Sequence, residues 1–109
     1  MCLLAAGCSK VQEARFESTA KNWMTTHASD PDSVMFRNTK VVATSRDGAS
    51  SYFLCGEINA KNRMGGYAGW SRFVVAGTPS EIPDDPSSGM IEANQEETLF
   101  QAIWETSCK

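Results

Sequence analysis

Phe16, Ala20, Trp23, Met24 and His27 recur at intervals of three and four, the spacing of one face of an α-helix. Lys10, Glu13, Glu17, Lys21 and Asn22 fall mostly elsewhere, so residues 10–27 are predicted to form an amphipathic helix. It stops in Ala28-Ser29-Asp30-Pro31-Asp32-Ser33, where Asp30 is placed to cap a new short turn, Pro31 suits its first position, and Val34-Met35-Phe36 is expected to form it. The pattern then changes to that of strands. Residues 39–46 are rich in β-branched side chains and close on Asp47-Gly48, a strong hairpin signal, after which 51–59 reads as the returning strand. A loop with two glycines at 60–66 leads to a third strand at 67–76. Residues 77–89 carry Pro79, Pro83 and Pro86 and read as a long polar loop, the segment expected to be most mobile. A short edge strand at 90–93 is followed by a second amphipathic helix from 96 to about 107. That helix has Leu99, Phe100, Ile103 and Trp104 on one face and Glu96 and Glu97 near the positive end of its dipole. The expected fold is α+β: an N-terminal amphipathic helix, a three- to four-stranded antiparallel meander, and a C-terminal helix.

Composition narrows the class. A chain of 109 residues suits one domain, and 41% hydrophobic with 21% charged residues is the balance of a packed globular protein. The net charge of −3 gives no general reason to seek nucleic acid. Neither G-x-x-x-x-G-K-[ST] nor G-x-G-x-x-G occurs, so nucleotide binding is unsupported. No stretch has the roughly 18 consecutive apolar residues that span a bilayer.

The start of the chain is different in kind. Met1-Cys2-Leu3-Leu4-Ala5-Ala6-Gly7 is apolar or small up to Cys8, and Ser9-Lys10 is polar at once. Leu4-Ala5-Ala6-Gly7-Cys8 resembles the lipobox of bacterial lipoproteins, with Ala5 where Leu is the usual choice. On that reading residues 1–7 are a signal-peptide remnant, with a truncated or late-assigned start, and 8–109 is one lipid-anchored domain whose lipid sits on Cys8. The plainer alternative is a frayed apolar N-terminus. With Cys2 removed and Cys8 acylated, Cys55 and Cys108 remain as an even pair in an oxidising compartment and are expected to form a disulfide. Closing that 53-residue loop is worth about 4 kcal/mol in the loop-entropy picture. Two buried thiols in a reducing cytosol are the alternative.

Asp30-Pro31-Asp32-Ser33-Val34-Met35-Phe36-Arg37-Asn38 forms one block. Cys55-Gly56-Glu57-Ile58-Asn59-Ala60-Lys61-Asn62, running into Gly65-Gly66-Tyr67-Ala68-Gly69-Trp70 and Arg72-Phe73, forms a second. With the lipobox these span about 40 of the 109 residues, and they resemble the recurring blocks of a family of small bacterial and phage-borne lipoproteins. The resemblance implies a small lipidated α+β envelope domain, brings no catalytic residues with it, and, with Ser9 after the acylated cysteine, implies sorting to the outer membrane.

The densest set of polar and aromatic groups is Glu57, Asn59, Lys61, Asn62, Arg63, Tyr67, Trp70 and Arg72, a candidate binding surface rich in the types that dominate protein interfaces. Its structural alternative is a Glu57–Arg72 cross-strand ion pair, Asn59 and Asn62 satisfying loop backbone, and glycines permitting a sharp hairpin. His27 is the only histidine and sits where a helix ends, better placed to meet the C-terminal dipole than to serve a catalytic triad. Glu81, Asp84 and Asp85 lack the spacing of a calcium loop, and Glu57 has no acidic companion suited to glycoside hydrolysis. No cofactor or metal is expected. The expected function is binding without catalysis in the cell envelope, through a lipid at Cys8 and a protein partner. If the gene is phage-derived, it modifies the host surface by occluding a receptor or blocking a second phage. The alternative is a periplasmic inhibitor of a hydrolase such as lysozyme, using an exposed loop as a plug.

Overall fold

The computed structural model describes residues 5–28, 30–46, 49–61, 64, 66, 69–79, 81–83, 88–92 and 96–108, with side chains outside 5–10 and 45–50. Helix α1 (Ala5–Thr26) leads through a short 3-10 turn (Pro31–Ser33) into β1 (Met35–Arg46) and β2 (Ala49–Asn59). Strands β3 (Ser71–Gly77) and β4 (Gly89–Ile91) and helix α2 (Glu97–Ser107) follow. The strands form one antiparallel sheet in the order β1-β2-β3-β4. The chain is thus an α+β fold with a helix first and last, as its periodicities predict.

The helices cover opposite faces of the sheet. On the first face α1 sets Phe16, Ala20 and Met24 against Leu54, Ile58, Phe73, Val75 and Ile82. Alternate residues of β2 and β3 point the other way, where Cys55 and Val74 meet Phe100 and Cys108 of the α2 segment. Trp23 and Trp104, predicted on the apolar faces of the two helices, are half-buried at the margins of the clusters. Leu99, expected on the apolar face of α2, is 48% exposed.

Contacts fix the direction of α1. Phe16 packs on Tyr52 near the start of β2, at 5.5 Å between rings, while Lys21 lies over Phe36 at the start of β1, at 5.6 Å. The helix therefore runs antiparallel to β1. Its first turns lie toward the end of the sheet where β1 passes into β2, and the β2–β3 connection lies at the opposite end.

Several boundaries differ from expectation. The helix begins at Ala5, so the backbone of the lipobox-like stretch from Ala5 on is helical. The short turn is Pro31–Ser33, while Met35 and Phe36 already belong to β1. Asp30 caps it with no side-chain hydrogen bond; its carbonyl accepts from Ser33 N–H at 3.1 Å and from Ser33 Oγ at 2.8 Å. Strand β1 starts four residues before position 39 because it contains a bulge between Arg37 and Lys40. Strand β3 starts at Ser71, since Gly69 has a left-handed φ of +99° and donates its N–H to Asn59 Oδ1 at 3.1 Å, holding the chain in a turn. In the 77–89 stretch, expected to be mobile, the described residues near its start are anchored: Ile82 is buried in the main core, and Thr78 and Glu81 exchange backbone hydrogen bonds of 2.9 and 3.2 Å, while 80 and 84–87 lie outside the described residues. The Asp47-Gly48 turn, Asp84, Asp85 and Ala93 lie outside the described residues.

Candidate functional site

The bulge in β1 builds the site. Asn38 and Thr39 together stand opposite Gly56, and Asn38 takes the left-handed region at φ 54°, which a residue other than glycine rarely adopts. Its Nδ2 donates to Glu57 Oε1 at 2.8 Å. Arg37, the residue before, grips the same carboxylate with two donors, Nε to Oε1 and Nη2 to Oε2, both at 3.2 Å. The Arg37 guanidinium also lies 4.1 Å from the centre of the Trp70 ring.

Glu57 and Arg72 are register partners on β2 and β3, yet they do not form the ion pair expected of them. Glu57 is held by Arg37 and Asn38 from β1. Arg72 turns toward Glu92, just past β4, at 2.7 Å, and to Gln101 Oε1 of α2 at 2.9 Å. Its guanidinium lies over Phe100 at 5.3 Å and Trp104 at 5.0 Å. The result is a row of alternating charge, Arg37, Glu57, Arg72 and Glu92, bracketed by Trp70 and Trp104, on the α2 side of the sheet. The hydrogen bonds from Arg37 and then Asn38 hold the Glu57 carboxyl below the usual range. Arg72 does the same for Glu92, and Glu92 in turn raises Arg72. Each pair is partly exposed and individually worth little; the row fixes geometry more than stability.

Of the residues singled out from sequence, Glu57, Trp70 and Arg72 come together in this row. Asn59 is buried and serves loop backbone through Gly69. Lys61 is tied by its N–H to Ser33 Oγ at 2.8 Å, with its side chain half-buried. Asn62, Arg63 and Tyr67 lie outside the described residues, as does the side chain of Cys8. Cys55 and Cys108 form the expected disulfide, with Cα atoms 5.9 Å apart. His27 lies just past Thr26, the last residue of α1, with Nδ1 2.8 Å from the Trp23 carbonyl and its ring stacked on Trp23 at 4.1 Å.

Sequence reasoning missed Arg37, Asn38, Glu92 and Gln101. A signal for the first two existed. Counting back from the Asp47-Gly48 turn, partners sum to 95, which sets position 38 opposite Glu57, one residue away from the observed Arg37 partner.

Among the described residues, no group of three or more His, Cys, Asp or Glu could hold a metal ion, and no helix is long and apolar enough to cross a membrane. A shallow groove of about 290 Å³ lies farther down the sheet, lined by Ser51, Phe53, Ala76, Thr78, Pro83 and Ser88. No family model, curated protein or solved structure matches the chain.

Proposed function

We propose that this chain is a small cell-envelope lipoprotein, lipidated at Cys8 and held at the outer membrane, that acts by binding an envelope protein without catalysing a reaction. In a prophage setting that binding alters the host surface, by occluding a receptor or excluding a second phage. The observation that carries the reading is the charged row in which each arginine lies over a tryptophan, Arg37 over Trp70 and Arg72 over Trp104. Arginine and tryptophan dominate binding hot spots, and here a bulge with a left-handed asparagine holds them in place. Both sequence blocks that resemble the lipoprotein family contribute: Arg37 and Asn38 from the first, Glu57, Trp70 and Arg72 from the second. The row lies toward the β2–β3 end of the sheet, away from the first turns of α1, where a lipid on Cys8 would leave it facing a partner. The disulfide accords with an oxidising compartment.

The test combines mass and capture. The full chain is expressed in a bacterial host with a photo-cross-linking residue at Met64, which is 92% exposed in the β2–β3 connection. The expected result is a membrane-fraction protein beginning at acylated Cys8, cross-linked to an envelope protein, with capture weakened by Arg37→Ala and Trp70→Ala and phage adsorption reduced. A chain that keeps Met1, with Cys55 and Cys108 alkylatable before reduction, overturns the envelope reading. Unchanged adsorption with no captured protein overturns the binding reading, and inhibition of lysozyme would replace it with that of a hydrolase inhibitor.

A further inference from the structure

The two apolar clusters are unequal, and the disulfide belongs wholly to the smaller. Phe16, Ala20 and Met24 of α1 enter the main core with five buried partners from the sheet and the 77–89 segment. Helix α2 buries only Phe100 fully, and its cluster is completed by Val74 and the two cysteines themselves, at 0% and 1% exposure. Ile103 and Trp104 pack from the margin. At 11 residues α2 is shorter than a helix that holds in water unaided, so its order comes from docking. It is fastened at both ends: the chain ties its start to β4, and Cys108, at its C-cap, ties its end to Cys55 in the middle of β2. Between the fasteners, Gln101, Phe100 and Trp104 of α2 meet Arg72 of β3.

We propose that the Cys55–Cys108 disulfide is a redox latch for α2: its reduction releases α2 from the sheet while the sheet and α1 stay folded. In the opening step a dithiol reductant supplies two electrons and two protons. The S–S bond breaks, S–H bonds form at Cys55 and Cys108, and the reductant closes to its own disulfide. Release uncovers Cys55 and Val74 and takes the aromatic partners and Gln101 away from Arg72, leaving it Glu92. The row is then complete at the Arg37–Trp70 end, and at the other it keeps the Arg72–Glu92 pair but loses its aromatic cover. The latch rests on packing alone and does not depend on the function proposed above.

The experiment is hydrogen exchange on the full chain, oxidised, reduced with dithiothreitol, and as Cys108→Ser, with alkylation of Cys55 under native conditions as a second readout. In the oxidised chain α2 amides should exchange slowly. In the reduced chain and in Cys108→Ser, amides of residues 98–107 should exchange within about tenfold of an unstructured peptide, while those of 16–24 and 52–58 remain protected. The Cys55 thiol should become alkylatable at the same time. Two results overturn the proposal. If protection collapses in both regions together, the disulfide is a staple for the whole fold; if α2 stays protected and Cys55 unreactive, packing alone holds the helix.

Discussion

Gly56 sits in β2 where the bulged strand comes closest, and replacing it tests whether that approach is structural. A Cβ built on residue 56 would stand 2.9 Å from Thr39 Cα, 2.9 Å from Thr39 Cγ2 and 3.2 Å from the Arg37 carbonyl oxygen. Ordinary van der Waals separations begin near 3.4 Å, and two of these three neighbours are backbone, which no side-chain rotation relieves. Overpacking costs about 1–3 kcal/mol when side chains can adjust, so Gly56→Ala belongs at the top of that range, about 3 kcal/mol. For a domain of this size each kcal/mol moves Tm by about 4–6 °C, giving a fall of about 12–18 °C in a thermal melt of the oxidised chain. Adding Thr39→Ser removes Cγ2 but leaves the clash with the Thr39 backbone, so the double variant should recover only a minor part. Gly66→Ala is the control: nothing among the described residues lies within 4 Å of its Cβ, and its Tm should stay within about 3 °C of the parent, in line with about 0.5 kcal/mol. A Gly56→Ala chain melting as close to the parent as Gly66→Ala would refute the reasoning, because the strands could then separate at the bulge without loss.

Acid should weaken the fold through three carboxylates. Glu17, beside Lys21 and Thr39, Glu57, beside Arg37 and Asn38, and Glu92, beside Arg72, all titrate below their ordinary value of 4.5 when folded. Folding therefore releases protons that the unfolded chain binds, so this stabilisation is complete above that value and is lost as pH falls through the lowered ones. Urea midpoints should be flat from pH 7 to about pH 5.5 and drop below about 4.5, less steeply in Glu57→Gln; a midpoint that rises on acidification contradicts this. Phe16→Ala and Phe100→Ala each remove a fully buried ring, about 3–5 kcal/mol of packing by precedent. The first should lower the global melt; the second, in the oxidised chain, should chiefly raise α2 exchange. Equal falls in Tm with no change confined to α2 would show the two clusters to be one.

Much of the architecture was legible because it rests on periodicity. Phe16, Ala20 and Met24 recur at four-residue steps and are buried as that spacing requires, and the even cysteine pair pointed to its own disulfide. The failures cluster where the backbone departs from regularity. Met35-Phe36-Arg37-Asn38 did not read as strand because the extra residue at 38 puts it out of phase with 39–46. Tyr67 and Trp70 are strand-forming types, but the turn at Gly69 holds Trp70 outside β3, where it can reach Arg37. The candidate cluster was found by its composition, while its pairing was misassigned, since choosing between Arg37 and Arg72 for Glu57 depends on that one residue of register. Helix α2 was visible by pattern, but which of its apolar residues face the sheet is set by the disulfide and Arg72, so Leu99 was misplaced.

Removing the extra residue separates what the bulge does for the fold from what it does for the site. Two residues of β1 face Gly56, so deleting Asn38 leaves Thr39 alone there, with Lys40 still opposite Cys55, Arg37 opposite Glu57 and Phe36 opposite Ile58. No side chain changes face, and Phe36 keeps its edge-to-face packing on Phe73 at 5.6 Å. The loss is one exposed hydrogen bond to Glu57, offset by removal of a left-handed residue that itself costs about 1–2 kcal/mol, so stability should change by less than about 1 kcal/mol. Deleting Val41 can also be absorbed by closing the bulge, but only by turning Lys40 toward α1 in the place of a side chain that packs on the main core. That exchange should cost about 2 kcal/mol or more, from lost apolar burial and the charge put in its place. Urea unfolding of the two deletions distinguishes the cases. If the Asn38 deletion is as damaging as the Val41 deletion, the bulge is part of the folding plan. If it is nearly neutral while the Glu57 carboxyl relaxes upward toward its ordinary value, the strained residue is kept for the charged row.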